Sequence, residues 1–131
     1  MKMENILFNF DFSAQSDVIY CSENQIKQAC VAILVNASEA VSDNGEVFFR
    51  SFNPDPDHVK IEISDNGSGI APEDIPHIFE PFFSAKHKTS GIGLGLAIAH
   101  GIILSHKGRI EVDSKLGKGT VLSIILPLVK N

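Results

Sequence analysis

Residues 91–99 read Gly-Ile-Gly-Leu-Gly-Leu-Ala-Ile-Ala. Three alternate glycines remove the side chains from one face of this segment, so its backbone N–H groups can approach a ligand closely. The apolar residues that follow predict a helix, and the first N–H groups of a helix are unpaired and carry partial positive charge. Phosphate suits such a place, although a glycine-rich turn can equally serve as a tight connection.

Length and composition predict a single domain spanning residues 1–131, with one sizeable core. A hydrophobic content of 44% with 21% charged residues is typical of a soluble globular protein. The net charge of −5 argues against a nucleic-acid partner, and no apolar run is long enough for a membrane-spanning helix. Cys21 and Cys30 lack a Cys-x-x-Cys spacing, which predicts two reduced thiols in a cytoplasmic protein.

Hydrophobic periodicity predicts the order strand, helix, hairpin, broken region, helix, hairpin. The predicted elements are strands at 6–12 and 18–20, a helix from Ser22 (with Gln25 in a capping box) to about 43–45, strands at 46–52 and 58–64 around a turn at 53–57, a helix from the glycine segment to about His106, and a hairpin of 109–114 and 120–126. Strands that arrive as antiparallel pairs, with helices sharing one face of the sheet, predict an α+β two-layer sandwich.

Two polar side chains are candidate ligands of a nucleotide and its metal ion. Asn36 lies at the edge of the apolar stripe of the first helix, and its amide oxygen suits Mg²⁺. An ordinary boundary asparagine is the alternative. Asp65 ends a strand, so its carboxylate could accept a hydrogen bond from an amine such as adenine N6, with Gly67 and Gly69 leaving a base room to lie flat. The alternative is an aspartate that only caps its own backbone.

Other candidate residues lie in loops. The polar, irregular segment 84–90 is typical of a mobile loop. Within it, Lys86 can offer a point charge to phosphate, or can simply be solvated. Gly117 and Gly119 fit a hairpin turn as readily as a ligand site.

Five segments occur in one order and with compatible spacing. They are Asn36-Ala37-x-Glu39-Ala40, Asp65-x-Gly67-x-Gly69-Ile70, Phe79-Glu80-Pro81-Phe82-Phe83-Ser84-x-Lys86, Gly91-x-Gly93-Leu94-Gly95-Leu96 and Gly117-Lys118-Gly119-Thr120. The series resembles the successive motifs of the ATP-binding catalytic domain of sensor histidine kinases, within the larger group that includes gyrase, Hsp90 and MutL. The resemblance covers about residues 18–127, nearly the whole chain.

The resemblance implies a Bergerat-type fold, in which three helices cover one face of a mixed, mainly antiparallel sheet and ATP lies between helices and a lid. It implies that Asn36 holds Mg²⁺, that Asp65 binds the adenine amine, and that Thr120 lies behind the adenine. Segment 84–90 is similar to the lid, and its shortness predicts modest affinity and rapid exchange of nucleotide. The implied ATP-binding residues are Asn36, Asp65, Gly67, Gly69, Ile70, Phe79, Lys86, Gly91, Gly93, Leu94, Gly95, Leu96 and Thr120.

One position departs from the related ATPases and serine kinases, which resemble one another in placing a glutamate base four residues before the metal-binding asparagine. Ala32 occupies that position here. Alanine cannot take a proton, and a general base contributes about 10²–10⁴-fold. A histidine acceptor is already nucleophilic and needs such a base less, although histidine kinases often carry asparagine or histidine there. Ala32 therefore favours histidine as the acceptor and predicts slower transfer.

None of the five histidines lies in the His-acid context of a phosphoacceptor helix. They are His58, His77, His87, His100 and His106. The acceptor is therefore expected on a separate domain, with this chain as an excised fragment or a module that acts in trans.

These observations predict a protein-histidine kinase catalytic domain that binds Mg-ATP and donates the γ-phosphoryl group to a histidine of a separate dimerisation domain in two-component signalling. The implied partners are that phosphoacceptor domain and a downstream response regulator, with no activity expected without the acceptor. The expected location is the cytoplasm, including the cytoplasmic part of a membrane-bound sensor. The alternatives are a stand-alone ATPase or serine kinase of the same superfamily, and a nucleotide-sensing module without transfer.

Overall fold

Five strands and two α-helices make up the structure, a computed structural model that describes residues 7–12, 23–41, 45–81, 83 and 95–128. The elements in chain order are β1 Leu7–Phe12, α1 Glu23–Ala40, β2 Glu46–Asp55, β3 His58–Asp65, a 3-10 helix Ile75–His77, α2 Gly95–Ser105, β4 Arg109–Lys115 and β5 Gly119–Pro127. The predicted α+β two-layer fold is confirmed. Of the three helices that it implies, the described residues contain two α-helices and this single 3-10 turn.

The sheet is mixed, with the strand order β1-β2-β3-β5-β4. Strands β2, β3, β5 and β4 pair antiparallel, whereas β1 pairs with β2 in parallel. Parallel pairing follows from α1, because a helix between two strands returns the chain to the end of the sheet where the first strand began. The mixed, mainly antiparallel sheet that the resemblance implies is therefore confirmed, whereas the hydrophobic pattern by itself indicated only antiparallel pairs. The strand predicted at 18–20 lies outside the described residues.

The predicted turn at 53–57 is shorter in the structure, because β2 continues to Asp55. Pro54 is tolerated inside this strand for two reasons. The pairing of β2 with β3 shifts register between Phe52 and Asp55, and β1 pairs with β2 only as far as Ser51. A residue without an N–H group can occupy such an irregular, one-sided stretch of strand.

The core lies between the two helices and one face of the sheet. Helix α1 contributes Ala29, Ile33 and Ala37, whose four-residue spacing places them on one side of the helix. Helix α2 contributes Ala99 and Ile103. The sheet contributes residues that alternate along its strands, namely Val47, Val59, Ile63, Leu122, Ile124 and Leu126. Among the described residues, neither helix combines the length and apolarity needed to cross a membrane.

A chain of ion pairs covers the opposite face of the sheet. Its contacts are Arg50 Nε–Glu62 Oε1 at 2.8 Å, Lys60 Nζ–Glu62 Oε2 at 3.8 Å, Lys60 Nζ–Glu111 Oε1 at 3.8 Å and Arg109 Nε–Glu111 Oε2 at 3.2 Å. The contact between Lys60 and Glu111 joins β3 to β4 across the intervening β5. Beneath it, Ser123 and Ile125 of β5 are only 5% and 3% exposed, although they face away from the helices.

We expect Ile33→Ala to lower the free energy of unfolding by about 2–5 kcal/mol, because it leaves a cavity between α1 and the sheet. The matched control is Val31→Ala on the same helix, since the Val31 side chain is 56% exposed. That control should change stability by no more than about 0.5 kcal/mol. Urea unfolding followed by circular dichroism measures both, and equal losses would contradict the assigned core.

Cys30 predicts a pH dependence of stability. It packs against the core, and burial raises the pKa of its thiol from 9.0 to about 11. The folded chain therefore keeps the thiol proton where the unfolded chain loses it. Stability that is present below pH 9.0 should fall as the pH rises toward 11, by at most about 1.4 kcal/mol per pH unit. Cys30→Ala should flatten this slope in urea titrations, and an unchanged slope would refute the assignment.

Candidate functional site

Three neighbouring strands carry a row of polar residues at one end of the helix-facing side of the sheet. Asp65 of β3 pairs with Thr120 of β5, which in turn pairs with Ser114 of β4. The two rows before it on this side are apolar, Ile63-Leu122-Val112 and Ile61-Ile124-Ile110. The core therefore changes into a polar edge where β3 ends, at the aspartate that the sequence singled out.

The Asp65 carboxylate caps the loop that follows it. Its Oδ1 accepts a hydrogen bond from the Gly67 N–H at 2.9 Å. The capping alternative considered for this residue is therefore present in the structure. It is compatible with a ligand contact, because an ionised carboxylate has about four acceptor positions on its two oxygens.

The loop of residues 66–70 is held from two sides. Toward α1, the Ser68 N–H donates to the Ala40 carbonyl at 3.2 Å. Toward the β4–β5 hairpin, the Gly117 N–H donates to the Ser68 carbonyl at 2.7 Å and the Ile70 N–H donates to Ser114 Oγ at 2.8 Å. The loop is thus fixed between the end of one helix and the tip of a hairpin.

Ser114 is a site residue that the sequence analysis missed. Its hydroxyl accepts from Ile70, donates to the Gly119 carbonyl at 3.0 Å and lies 2.7 Å from Thr120 Oγ1. Since a hydroxyl has one proton and the carbonyl can only accept, the Thr120 hydroxyl donates to Ser114. The hairpin predicted around 115–119 contained the signal, because symmetrical pairing across it places Ser114 opposite Thr120.

Three glycines of the site are required by the protein's own backbone. A β-carbon on Gly67 would lie 2.3 Å from the Ala40 carbonyl oxygen, and one on Gly69 would lie 2.1 Å from that of Lys115. Gly119 has φ of +120°, and a β-carbon there would lie 2.1 Å from the Asp65 carbonyl oxygen. Room for a base, which the sequence favours at Gly67 and Gly69, stays a prediction, and close packing of the loop is a second reason for both glycines.

Helix α1 connects this loop to the end of the glycine segment. Ala32, Asn36 and Ala40 follow at four-residue intervals, so they lie on one side of the helix. A β-carbon on Gly95, the first residue of α2, would lie 3.8 Å from the Ala32 β-carbon. The Ala40 carbonyl holds Ser68. The half-buried Asn36 thus lies one turn from each contact, between the two parts of the site.

The residues present fit a magnesium ion that is shared with phosphate. Among the described residues, no group of three His, Cys, Asp or Glu side chains could hold a metal ion by itself. Mg²⁺ does not need such a group, because it usually takes one or two protein oxygens and fills its shell with phosphate and water. The amide oxygen of Asn36 is a donor of this kind.

Two aromatic rings connect the segment after the 3-10 helix to α2. Phe79 stacks on His100, with 4.5 Å between ring centroids and 22° between their planes. Phe79, Ile70 and Leu96 also pack against the core. Of the predicted site residues, Lys86, Gly91, Gly93 and Leu94 lie outside the described residues, as does the lid segment 84–90.

The remaining described histidines have local partners away from the polar row. His58 contacts Asp55 at 2.8 Å, and this hydrogen bond is the main reason why the pKa of Asp55 lies below its usual value. The pair lies at the start of β3, whereas Asp65 ends that strand. His77 contacts Glu80 at 2.8 Å, and His106 Nδ1 lies 2.8 Å from the Ile102 carbonyl oxygen.

We expect Gly69→Ala to destabilise the fold by about 1–3 kcal/mol more than Gly117→Ala. Both glycines have positive φ, +74° and +81°, so the strain of alanine in the left-handed region is similar. Only at Gly69 does the new methyl group meet backbone, because nothing lies within 4 Å of a β-carbon on Gly117. Urea unfolding measures the difference, and equal losses would contradict the packing of this loop against the hairpin.

Comparisons with known proteins agree with this geometry. Residues 21–130 match the family described as histidine kinase-, DNA gyrase B-, and HSP90-like ATPase. Sporulation kinase E of Bacillus subtilis is 39% identical over 129 residues, which are 98% of this chain and 17% of that protein. The solved mycobacterial sensor histidine kinase MprB is 31% identical with a TM-score of 0.80, covering 93% of this chain and 83% of that one.

A second similar structure is the histidine kinase ThkA in complex with the response regulator protein TrrA. It has a TM-score of 0.77 and 27% identity, over 95% of this chain and 34% of the other. This chain spans less than a third of the length of the curated relatives compared with it, 17% of sporulation kinase E and 29% of sporulation kinase C. It belongs to the histidine kinase-, DNA gyrase B- and HSP90-like ATPase family, and is an ATP-binding domain of the sensor histidine kinase type.

Proposed function

We propose that this chain binds Mg-ATP and donates the γ-phosphoryl group to a histidine carried by a separate phosphoacceptor domain, as one step of two-component signalling. Family membership supports ATP as the nucleotide. The position of Asn36 carries the proposal furthest, because α1 places its amide between the start of α2 and the loop that follows Asp65. A nucleotide that reaches from Asp65 to the glycine segment would pass this amide.

Each part of the site has a separate role in this proposal. Asp65 would accept a hydrogen bond from the adenine amine, at the polar row where the core ends. Asn36 would hold Mg²⁺, which neutralises phosphate charge during transfer. The N–H groups at the start of α2 would face the phosphates, because the positive end of a helix favours anions. Lys86, Gly91, Gly93 and Leu94 are proposed contacts on the basis of the sequence alone.

Ala32 supports histidine as the acceptor, because it offers no base for activating water or a serine hydroxyl. Ala32 packs against the core, and a β-carbon on Gly95 would lie 3.8 Å from its own, which gives Ala32 a packing role where the two helices meet. Histidine is nucleophilic without such a base, so it is the acceptor that this site could serve best. A response regulator would receive the phosphoryl group in turn, as the complex of ThkA with TrrA suggests by analogy. The cytoplasm, expected from the sequence, is the proposed location of this reaction.

Binding is tested by titrating ATP with and without Mg²⁺ in a calorimeter. We expect Asp65→Asn to raise the Kd for ATP by about tenfold or more, since a hydrogen bond to a charged group contributes about 1.5–3 kcal/mol. Asn36→Ala should remove most of the gain in affinity that Mg²⁺ gives. Glu39→Gln, an exposed change one turn along α1, is the matched control and should leave both values unchanged. Tight Mg-ATP binding that survives both site changes would count against the proposal.

Transfer is tested by mixing the chain with γ-labelled ATP and a histidine-bearing helical-hairpin domain of a similar kinase. The proposal predicts phosphate on that domain that is labile in acid and stable in base, as phosphohistidine is. Phosphate release without any acceptor would instead favour a stand-alone ATPase. Acid-stable label would indicate a serine kinase, and binding without labelling would indicate a nucleotide sensor.

A further inference from the structure

We propose that Ser114 is a positioning residue for the adenine side of the site, which holds Asp65, Thr120 and the loop 66–70 in one arrangement. The inference rests on the proposed function, since it concerns how the same site recognises the base. Ser114 belongs to none of the five sequence segments that identified the site. Its role comes from its place in the sheet and from its hydrogen bonds.

The Ser114 hydroxyl joins its own strand, β4, to the loop 66–70 and to β5. It accepts from the Ile70 N–H, which ends the loop after Asp65, and from the Thr120 hydroxyl on the neighbouring strand β5. It donates to the carbonyl of Gly119, whose α-carbon packs against the Asp65 backbone. One proton and two accepted bonds use the full capacity of a hydroxyl. Loss of this one oxygen would therefore leave three polar groups without their partner.

Because these groups are largely buried, losing their hydrogen bonds to Ser114 should be costly. Thr120 is only 5% exposed, and Ile70 and Ser114 are half-buried, so water cannot freely replace a missing partner. Without Ser114, the Thr120 hydroxyl would seek another acceptor and the loop would lose its link to β4. Asp65 is the register partner of Thr120 and caps the start of the same loop. A reoriented Thr120 hydroxyl and a loop no longer linked to β4 would therefore both alter the surroundings of the Asp65 carboxylate.

Loss of the Ser114 hydroxyl should weaken binding of the base rather than binding of the phosphates. The hydrogen bonds of Ser114 go to residue 70, in the loop after β3, and to residues 119 and 120, at the start of β5. Asn36 and Gly95, the proposed phosphate side, are instead connected through α1. A nucleotide and a bare polyphosphate should therefore respond differently to the loss of Ser114.

The test compares the Kd values of Mg-ATP and of magnesium tripolyphosphate for the full chain and its variants. We expect Ser114→Ala to raise the Kd for ATP by about tenfold while that for tripolyphosphate changes by less than about twofold. Ser64→Ala is the matched control, because Ser64 precedes Asp65 on β3 and faces the opposite side of the sheet; it should leave both values unchanged.

A second pair keeps the inference testable if Ser114→Ala does not fold. Ser114→Thr and Ser114→Val differ only in a hydroxyl against a methyl group, and both suit a strand. The threonine variant should have the same ratio of the ATP Kd to the tripolyphosphate Kd as the unchanged chain. In the valine variant this ratio should rise, as it does in Ser114→Ala. A folded Ser114→Ala or Ser114→Val that binds ATP as the parent does, or equal weakening of both ligands, would overturn the inference. Absence of ATP binding by the parent would instead refute the proposed function.

Discussion

Double pairing of β5 is the constraint on which the rest of the structure depends. This strand lies between β3 and β4, and it is buried by the helices on one face and by the ion-pair chain on the other. A slip of one residue would move Leu122, Ile124 and Leu126 from the core to the charged face, so the register is strongly determined. The same register places Thr120 between Asp65 and Ser114. Apolar burial thus fixes the position of a polar row that contributes little to the core itself.

The site is assembled from backbone contacts more than from side-chain contacts. The carbonyl groups in the last turn of α1 have no N–H donors within the helix. The Ser68 N–H supplies one such donor, to the Ala40 carbonyl. The hairpin approaches the same loop from the other side, so closely that residues 69 and 119 cannot carry a β-carbon. The position of Asn36 depends on the same helix. Burial of Ile33 and Ala37 fixes the rotation of α1, and Asn36 lies one turn before Ala40, whose carbonyl binds the loop.

Periodic burial made most of the fold predictable, and close contacts between distant segments account for what was missed. The pattern of α1 and the alternation in β3 follow from one buried face each, and both elements were predicted correctly. Parallel pairing of β1 with β2 has no signal in the local pattern, which does not show which strand becomes a neighbour; only the resemblance implied a mixed sheet. Asp65 stood out because it ends a strand beside glycines. Ser114 did not, because a serine in an alternating strand looks like a surface residue until Thr120 is placed opposite it.

The ion-pair chain on the outer face of the sheet also has a consequence for association. Charges of alternating sign from three strands lie over β5, and a protein docking there would have to strip their water while matching each sign. The free-energy cost of desolvating these charges exceeds the binding free energy of a contact that does not match them. This face is therefore well wetted and resists stacking against another sheet.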